Sequence, residues 1–387
     1  MASSSDLPFL TLQELSALIK ARDVSSRQVT LLQLVRIRSA SNLNSYIKVL
    51  PELALDLADK ADAELTAGID KGILHGVPIA LKDIFDLAGV PTTAGIPMRS
   101  NAIAKANAAI TNRLKDAGAV ILGKLATTEG VFAIHQAPYG SPVNPWNAEY
   151  YPGASSSGSG VTTASGLSYA CLSSDTGGSI RLPSAANGVT GLKPTWSRVT
   201  RHGTFELGAT LDHVGVIARR RSGRDCRTDP LDPTSSSEPV PDYCEIVDTA
   251  GKTIGYDPSW LEDGVHSAIT ASVRTVMAVF SSLGYRLVEV KLPSVDHVIW
   301  DWFEVCAVQT AIVHRDTYPG EGYSEALCDL IEQGRSLSGV QLQERLIRRE
   351  EFAGDLQAVF SAVDLVIIQH CLVWCQSSTK LPISTVK

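Results

Sequence analysis

Residues 175–181 read Asp175-Thr176-Gly177-Gly178-Ser179-Ile180-Arg181. Two glycines ahead of a serine suit a tight turn with several N–H groups pointing one way. Such a turn can hold an oxyanion while the serine attacks a carbonyl, or it can be a purely structural corner. The seven residues alone leave both open. They sit at the end of a longer stretch, 151–187, dominated by Gly, Ser, Ala and Thr. That composition usually marks a flexible linker. Val161, Leu167, Tyr169, Leu172, Ile180 and Leu182 are interleaved in it and need burying, so the stretch reads as packed structure.

Within it lies Pro152-Gly-Ala-Ser155-Ser156-Ser157-Gly158-Ser159-Gly160. Small residues let backbone amides approach a substrate closely. A phosphate loop would need Gly-Lys-Ser/Thr, and no lysine is present. A dinucleotide fingerprint would need glycine where Thr163 stands, and a Gly-x-Ser-x-Gly elbow would need glycine at Ser157. Upstream, Lys82 ends the apolar run Val77-Pro-Ile-Ala-Leu81 and precedes Asp83. A strand-end lysine either reaches solvent or is forced into a pocket. In a pocket, desolvation lowers its pKa and makes the neutral amine a general base.

Around these segments the texture alternates. Residues 9–70 read as helical: Thr11 with Glu14 forms a capping-box pattern, Ser25-Ser26 can cap a second helix, and Ala54–Ala67 has the composition of an amphipathic surface helix. From Gly72 onward, short apolar runs (77–81, 119–122) alternate with a helical segment over 108–117. This is the pattern of an α/β sheet with buried strands. Residues 221–243 have the Pro/Ser/Asp character of a loop or junction. Beyond it, strands over 252–256 and 285–290 flank a helix over 265–283, helices fill 297–315 and 323–361, and Val363–Ile368 reads as a buried strand. The expected division is a helical segment (1–70), a catalytic core (71–220), the junction (221–243) and a C-terminal α/β part (244–387).

Acids outnumber bases 41 to 34 in the 387 residues, for a net charge of -7. With Arg219-Arg220-Arg221 as the only tight basic run, nucleic-acid binding through phosphate neutralisation is not expected. No run of about 18 apolar residues suggests a membrane span. The N-terminus has no signal-peptide pattern. The seven cysteines (171, 226, 244, 306, 328, 371 and 375) are scattered, without Cys-x-x-Cys spacing, and read as free thiols in a reducing, cytoplasmic setting. No zinc motif occurs, and no cofactor is implied. A Ser-His-Asp triad is weighed against His75, His135, His202 and His213, none of which sits in a motif that marks the role.

Taken together, "GVPIALKD" (76–83), "PGASSSGSG" (152–160) and "DTGGSIRLPSAANGVTGLKPT" (175–195), in that order, resemble the amidase signature family. Ser155 and Ser179 stand 24 residues apart, as the family pattern requires. The flanking "AGAVILGKLATTE" (117–129) and "GSPVNPWN" (140–147) agree. The resemblance implies a mixed, largely buried β-sheet flanked by helices and a Ser–Ser–Lys triad. Ser179 matches the nucleophile, Ser155 the bridging serine held with a cis peptide, and Lys82 the base. Thr176, Gly177, Gly178 and Ser179 match the amides of the oxyanion hole. Asp175 and Arg181 read as fixing the turn. The implied substrate is a small-molecule amide, with the oligomeric state open. The implied activity is amide hydrolysis; the alternatives are an inactive remnant of the family and a glutamine-hydrolysing amidotransferase subunit.

Ala154 and Ser157 stand where many members have glycine. Larger departures follow residue 220, where "RSGRDCRTDPLDPTSSS" replaces an expected helix, and after Ile368, where "QHCLVWCQSSTKLPISTVK" matches nothing in the family pattern. The expectation is a truncated or frame-disturbed version of a longer enzyme, such as an incorrectly joined gene. Transcript sequence across 219–230 and 365–387 checks this: a different junction is expected, and reads confirming both stretches as written end the idea.

Overall fold

A computed structural model describes residues 6–219, 229–236 and 251–369. Cys226, Cys244, Cys371 and Cys375, most of the expected junction and the divergent tail after 369 lie outside the described residues. The described residues fall into two compact units. One holds the residues up to 236 with Asp316–Asp329, and the other holds 251–315 and 330–369.

The first unit begins with α1 (Leu12–Ala21) and α2 (Ser26–Ser39), each opened by a reciprocal capping box, Thr11 with Glu14 and Ser25 with Gln28. Each box satisfies two N–H groups that a helix start otherwise leaves without partners. The chain then forms strand β1 (Tyr46–Val49) inside the region that reads as all helix. Helix α3 (Pro51–Thr66) buries Ala54, Ala58 and Ala61, one stripe at helical spacing. Ala54 and Ala58 pack with Ile37 of α2 and with Val120 and Leu122 further along the chain.

Next come β2 (Pro78–Lys82), α4 (Ala109–Asp116), β3 (Val120–Leu125), α5 (Ser157–Ala164), β4 (Ala170–Asp175), α6 (Arg181–Asn187), β5 (Thr190–Leu192) and β6 (His213–Ala218). The six strands form one mixed sheet in the order β1-β3-β2-β4-β6-β5. Strands β3, β2 and β4 run parallel in the middle, and β1, β6 and β5 are antiparallel to their neighbours. Every residue of β2 and β3 is buried. That explains their unbroken apolar runs, since a parallel strand covered on both faces has no solvent side to alternate toward. The Gly/Ser-rich stretch is packed structure, with α5 lying close on strand ends. A Cβ on Gly158 would meet Ser45 O at 2.5 Å and Ala126 N at 2.6 Å.

In the second unit, β7 (Thr253–Tyr256), α7 (Pro258–Glu262), α8 (Ser267–Ser282) and β8 (Arg286–Glu289) follow, with β7 and β8 parallel as the βαβ pattern predicts. Helix α9 (Val298–Val313) and helix α11 (Gly339–Phe360) are tied by Arg348, whose guanidinium donates to both oxygens of Asp301. The helix expected over 323–361 is two helices, α10 (Glu325–Ser336) and α11. The break falls where Ser338 caps α11 by a box with Gln341. The strand expected over 363–368 is the short β9 (Leu365–Val366), paired with β7. Val363 is buried, but Leu365 and Ile368 are each 47% exposed, so this strand is not buried as its apolar run suggests.

Two lysines lie inside the fully covered strands, Lys82 and Lys124, both 0% exposed. Lys124 of β3 pairs with Asp83 at 2.8 Å and donates to Thr92 Oγ1 at 3.2 Å. Asp83 also accepts from the Thr93 N–H at 3.0 Å and from the Thr93 hydroxyl. Removing one partner of a buried pair leaves an uncompensated charge, at a cost of about 3–5 kcal/mol. Lys124→Met is therefore expected to lower the urea midpoint sharply. Lys124→Met with Asp83→Asn should recover much of the loss, and a single variant as stable as wild type contradicts this account of the pair.

Candidate active site

Strands β2 and β4 are parallel neighbours, so their carboxyl ends lie side by side. Open α/β sheets place their sites at such ends. Lys82 is the last residue of β2, and Ser174-Asp175 end β4. The Lys82 amine donates to Ser155 Oγ at 2.7 Å and to Ser174 Oγ at 3.0 Å. Ser155 is 2% exposed and Ser174 4%. Burial pushes the Lys82 amine down to about 7, while the negative charges of Asp212 and Asp175 pull the other way. Of the two readings of this lysine, the pocket is the one found.

Ser155 enters this contact from the segment before α5, and the Ala154–Ser155 peptide is cis. The Ser155 carbonyl accepts from Thr128 N at 3.4 Å. The two serines that follow are also engaged. Ser156 Oγ donates to the Ser174 carbonyl at 3.2 Å, and Ser157 Oγ lies 2.9 Å from His135 Nε2. Burial lowers the His135 pKa to about 4, and the neighbouring Lys82 adds to the effect.

After β4 the chain makes the turn 176–180. Gly178 adopts φ 126°, a backbone region that side-chain-bearing residues rarely enter. The Asp175 carboxylate organises the turn. It accepts from Gly178 N at 2.8 Å and Ile180 N at 3.1 Å, and it receives Arg181 Nε at 3.0 Å and a second guanidinium nitrogen at 2.9 Å. Burial alone would raise its pKa, but Arg181 and the two amides hold it down at about 2. Asp175 and Arg181 thus fix the turn, as their sequence positions suggest.

Ser179 is half-buried on this turn and Gly177 is exposed. The Gly178 N–H is committed to Asp175, whereas the N–H groups of Gly177 and Ser179 have no partner among the described residues. Thr176 is turned inward, its hydroxyl donating to Asp212 Oδ1 at 2.6 Å. Lys82 and Ser155 are therefore in direct contact. Among the described residues no hydrogen bond joins the Ser155 and Ser179 hydroxyls.

Four groups beside the site carry no signal in the sequence that marks them. Ser174 is the second partner of Lys82. His135 reads as a packing histidine, yet it lies against Ser157. The Asp83–Lys124 pair begins at the residue after Lys82. Asp212 is 6% exposed and accepts from Leu207 N at 2.9 Å as well as from Thr176. By contrast, His75 is a packing histidine: it is fully buried and lies 3.0 Å from Glu64. Among the described residues no cluster of three or more His, Cys, Asp or Glu side chains is placed to hold a metal ion, and no helix is long and apolar enough to cross a membrane.

A family profile described as Amidase matches residues 28–368. The chain belongs to the amidase signature family. AmiD of Mycobacterium tuberculosis, an amidase by name, is 40% identical over 372 residues, covering 93% of this chain and 78% of its own. The A subunit of the glutamyl-tRNA(Gln) amidotransferase of Chromohalobacter salexigens is 39% identical over 325 residues, covering 80% of this chain and 66% of its own. A crystal structure of an amidase superposes with a TM-score of 0.81 at 25% identity, covering 96% of this chain and 84% of that one. The mixed α/β fold is that of the amidase signature enzymes, and the family chemistry is hydrolysis of amide carbon–nitrogen bonds.

Proposed function

We propose that this protein hydrolyses a small-molecule carboxylic amide through an acyl-enzyme on Ser179, with Ser155 and Lys82 as the proton relay. The observation that carries this reading is the 2.7 Å contact between the Lys82 amine and Ser155 Oγ, closed off from water. With the amine neutral, its lone pair accepts the Ser155 proton while one of its N–H bonds donates to Ser174. Ser155 in turn takes the proton of Ser179.

Ser179 Oγ then forms a bond to the amide carbon, and the carbonyl electron pair moves onto oxygen. The Gly177 and Ser179 N–H groups, without partners among the described residues, are the donors that support this oxyanion. The Gly178 N–H, which the family resemblance places with them alongside Thr176, donates to Asp175 Oδ1 at 2.8 Å. As the C–N bond breaks, the relay returns a proton to nitrogen, because an amide nitrogen leaves poorly unless protonated. Water attacks the acyl-enzyme next, giving its proton to the same relay and releasing the acid.

The similarity to the amidotransferase of Chromohalobacter salexigens supports a second reading, in which ammonia from glutamine passes to a partner. Release of ammonia from glutamine by the purified protein alone favours simple hydrolysis.

A screen of aliphatic, aromatic and glutamine-type amides for ammonia release tests the function, beside labelling with a serine-reactive fluorophosphonate. Ser179→Ala should abolish both release and labelling. Lys82→Ala should slow labelling by about 10²–10⁴-fold, the usual worth of a positioned base. Labelling that survives in Ser179→Ala overturns the nucleophile, and folded protein that neither labels nor releases ammonia supports the inactive remnant.

A further inference from the structure

Most of the charged groups around Lys82 are matched in pairs; Lys193, which acts on Asp175 and His213, donates to the Pro194 carbonyl. Asp83, next along β2, is paired with Lys124 of β3 at 2.8 Å. Asp175, at the end of β4, is paired with Arg181 of α6 at 2.9 Å. Glu206, in the loop before β6, is paired with Arg201 at 3.1 Å. His135, facing from the loop after β3, and His213, at the start of β6, are both pushed below the ordinary histidine value, first by burial, and so are neutral near pH 7. Besides Lys193, two groups here have no ion-pair partner among the described residues: the Lys82 amine and the Asp212 carboxylate.

Asp212 is built into the site rather than placed there by chance. It is 6% exposed. Its Oδ1 accepts the Thr176 hydroxyl at 2.6 Å, and its Oδ2 accepts the N–H groups of Leu207 at 2.9 Å and Gly208 at 3.2 Å. It therefore ties the loop 207–212 to the first residue of the turn that carries Ser179. All of these hydrogen bonds come from neutral donors.

We propose that Asp212 is a positioning residue for the relay: a buried carboxylate that anchors, through Thr176, the turn bearing Ser179 and serves as the counter-charge to Lys82. This rests on the relay described above and deepens it. Desolvation alone would make the Lys82 amine neutral but a feeble base. A base works best when its pKa lies near the operating pH. Burial drives the Lys82 amine down, and the charges of Asp212 and then Asp175 oppose it, leaving the amine at about 7. Burial in turn raises Asp212 to about 6, against the pull of its Thr176 hydrogen bond. The charge of Asp212 favours the ammonium form of Lys82, while Asp212 itself is kept ionised by Thr176 and the Leu207 and Gly208 amides against burial and the nearby Glu206.

The test is the pH profile of fluorophosphonate labelling of the full chain, which needs no knowledge of the natural substrate. Wild type should lose reactivity as pH falls through about 7. Asp212→Asn keeps the shape and removes the charge. Its acid limb should move down by about one pH unit, and its plateau should fall several-fold because the base is weaker. A merely structural role would lower the plateau and leave the limb in place. Thr176→Val removes a hydrogen bond that holds Asp212 ionised, so its limb should move the same way by less. This second variant keeps the question open to test if Asp212→Asn fails to fold. An acid limb unmoved in folded variants overturns the inference, while Ser179→Ala that still labels overturns the relay beneath it.

Discussion

The exclusion of water from one amine governs the rest of this site. An exposed Lys82 would be an ammonium ion at neutral pH, unable to take a proton from any serine. Buried at the end of β2, with Ser155 and Ser174 as its hydrogen-bonding partners, it is held down at about 7. The cost of placing such a group in the core is limited because its neighbours are satisfied. Asp83 is matched by Lys124, and Asp175 by Arg181. The second buried lysine shows the contrast: Lys124 sits on a carboxylate and serves as a structural cation, whereas Lys82 sits on hydroxyls.

The fold supplies that exclusion through the sheet. Parallel strands covered on both faces bring the ends of β2 and β4 together, and Ser155, from the segment before α5, meets the amine there. The Gly/Ser-rich composition of 151–187 is the consequence of close approach. Helix α5 lies so near Ser45 and Ala126 that position 158 has no room for a Cβ. The turn after β4 bends through Gly178 and is locked by a single carboxylate, Asp175.

Much of this was legible in the sequence because local rules and global fold agree there. The capping boxes at Thr11 and Ser25, the covered strands around 78–82 and 120–125, and the βαβ unit at 253–289 follow from pattern alone. The motifs around Lys82, Ser155 and Ser179, in that order and with the two serines 24 residues apart, pointed to the family. Strand β1 was hidden because four residues between two helices carry too weak a period to separate from them. The break before α11 depends on one cap, Ser338, within an otherwise helical composition. At 363–368 an apolar run suggested burial, yet Leu365 and Ile368 are exposed; apolar composition alone does not say what covers a strand. Asp212, Ser174, His135 and the Asp83–Lys124 pair were illegible for a different reason. Their roles come from long-range contacts between strand ends and loops, and no local motif encodes which buried charge meets which partner.

The most direct measurement of the central claim is the titration of Lys82 itself. Protein carrying isotopically labelled lysine can be followed by NMR across the pH range, with the Lys82 signal assigned by its loss in Lys82→Met. A midpoint near 7 is the predicted result. A midpoint at about 10.4, that of a lysine in water, would contradict the account.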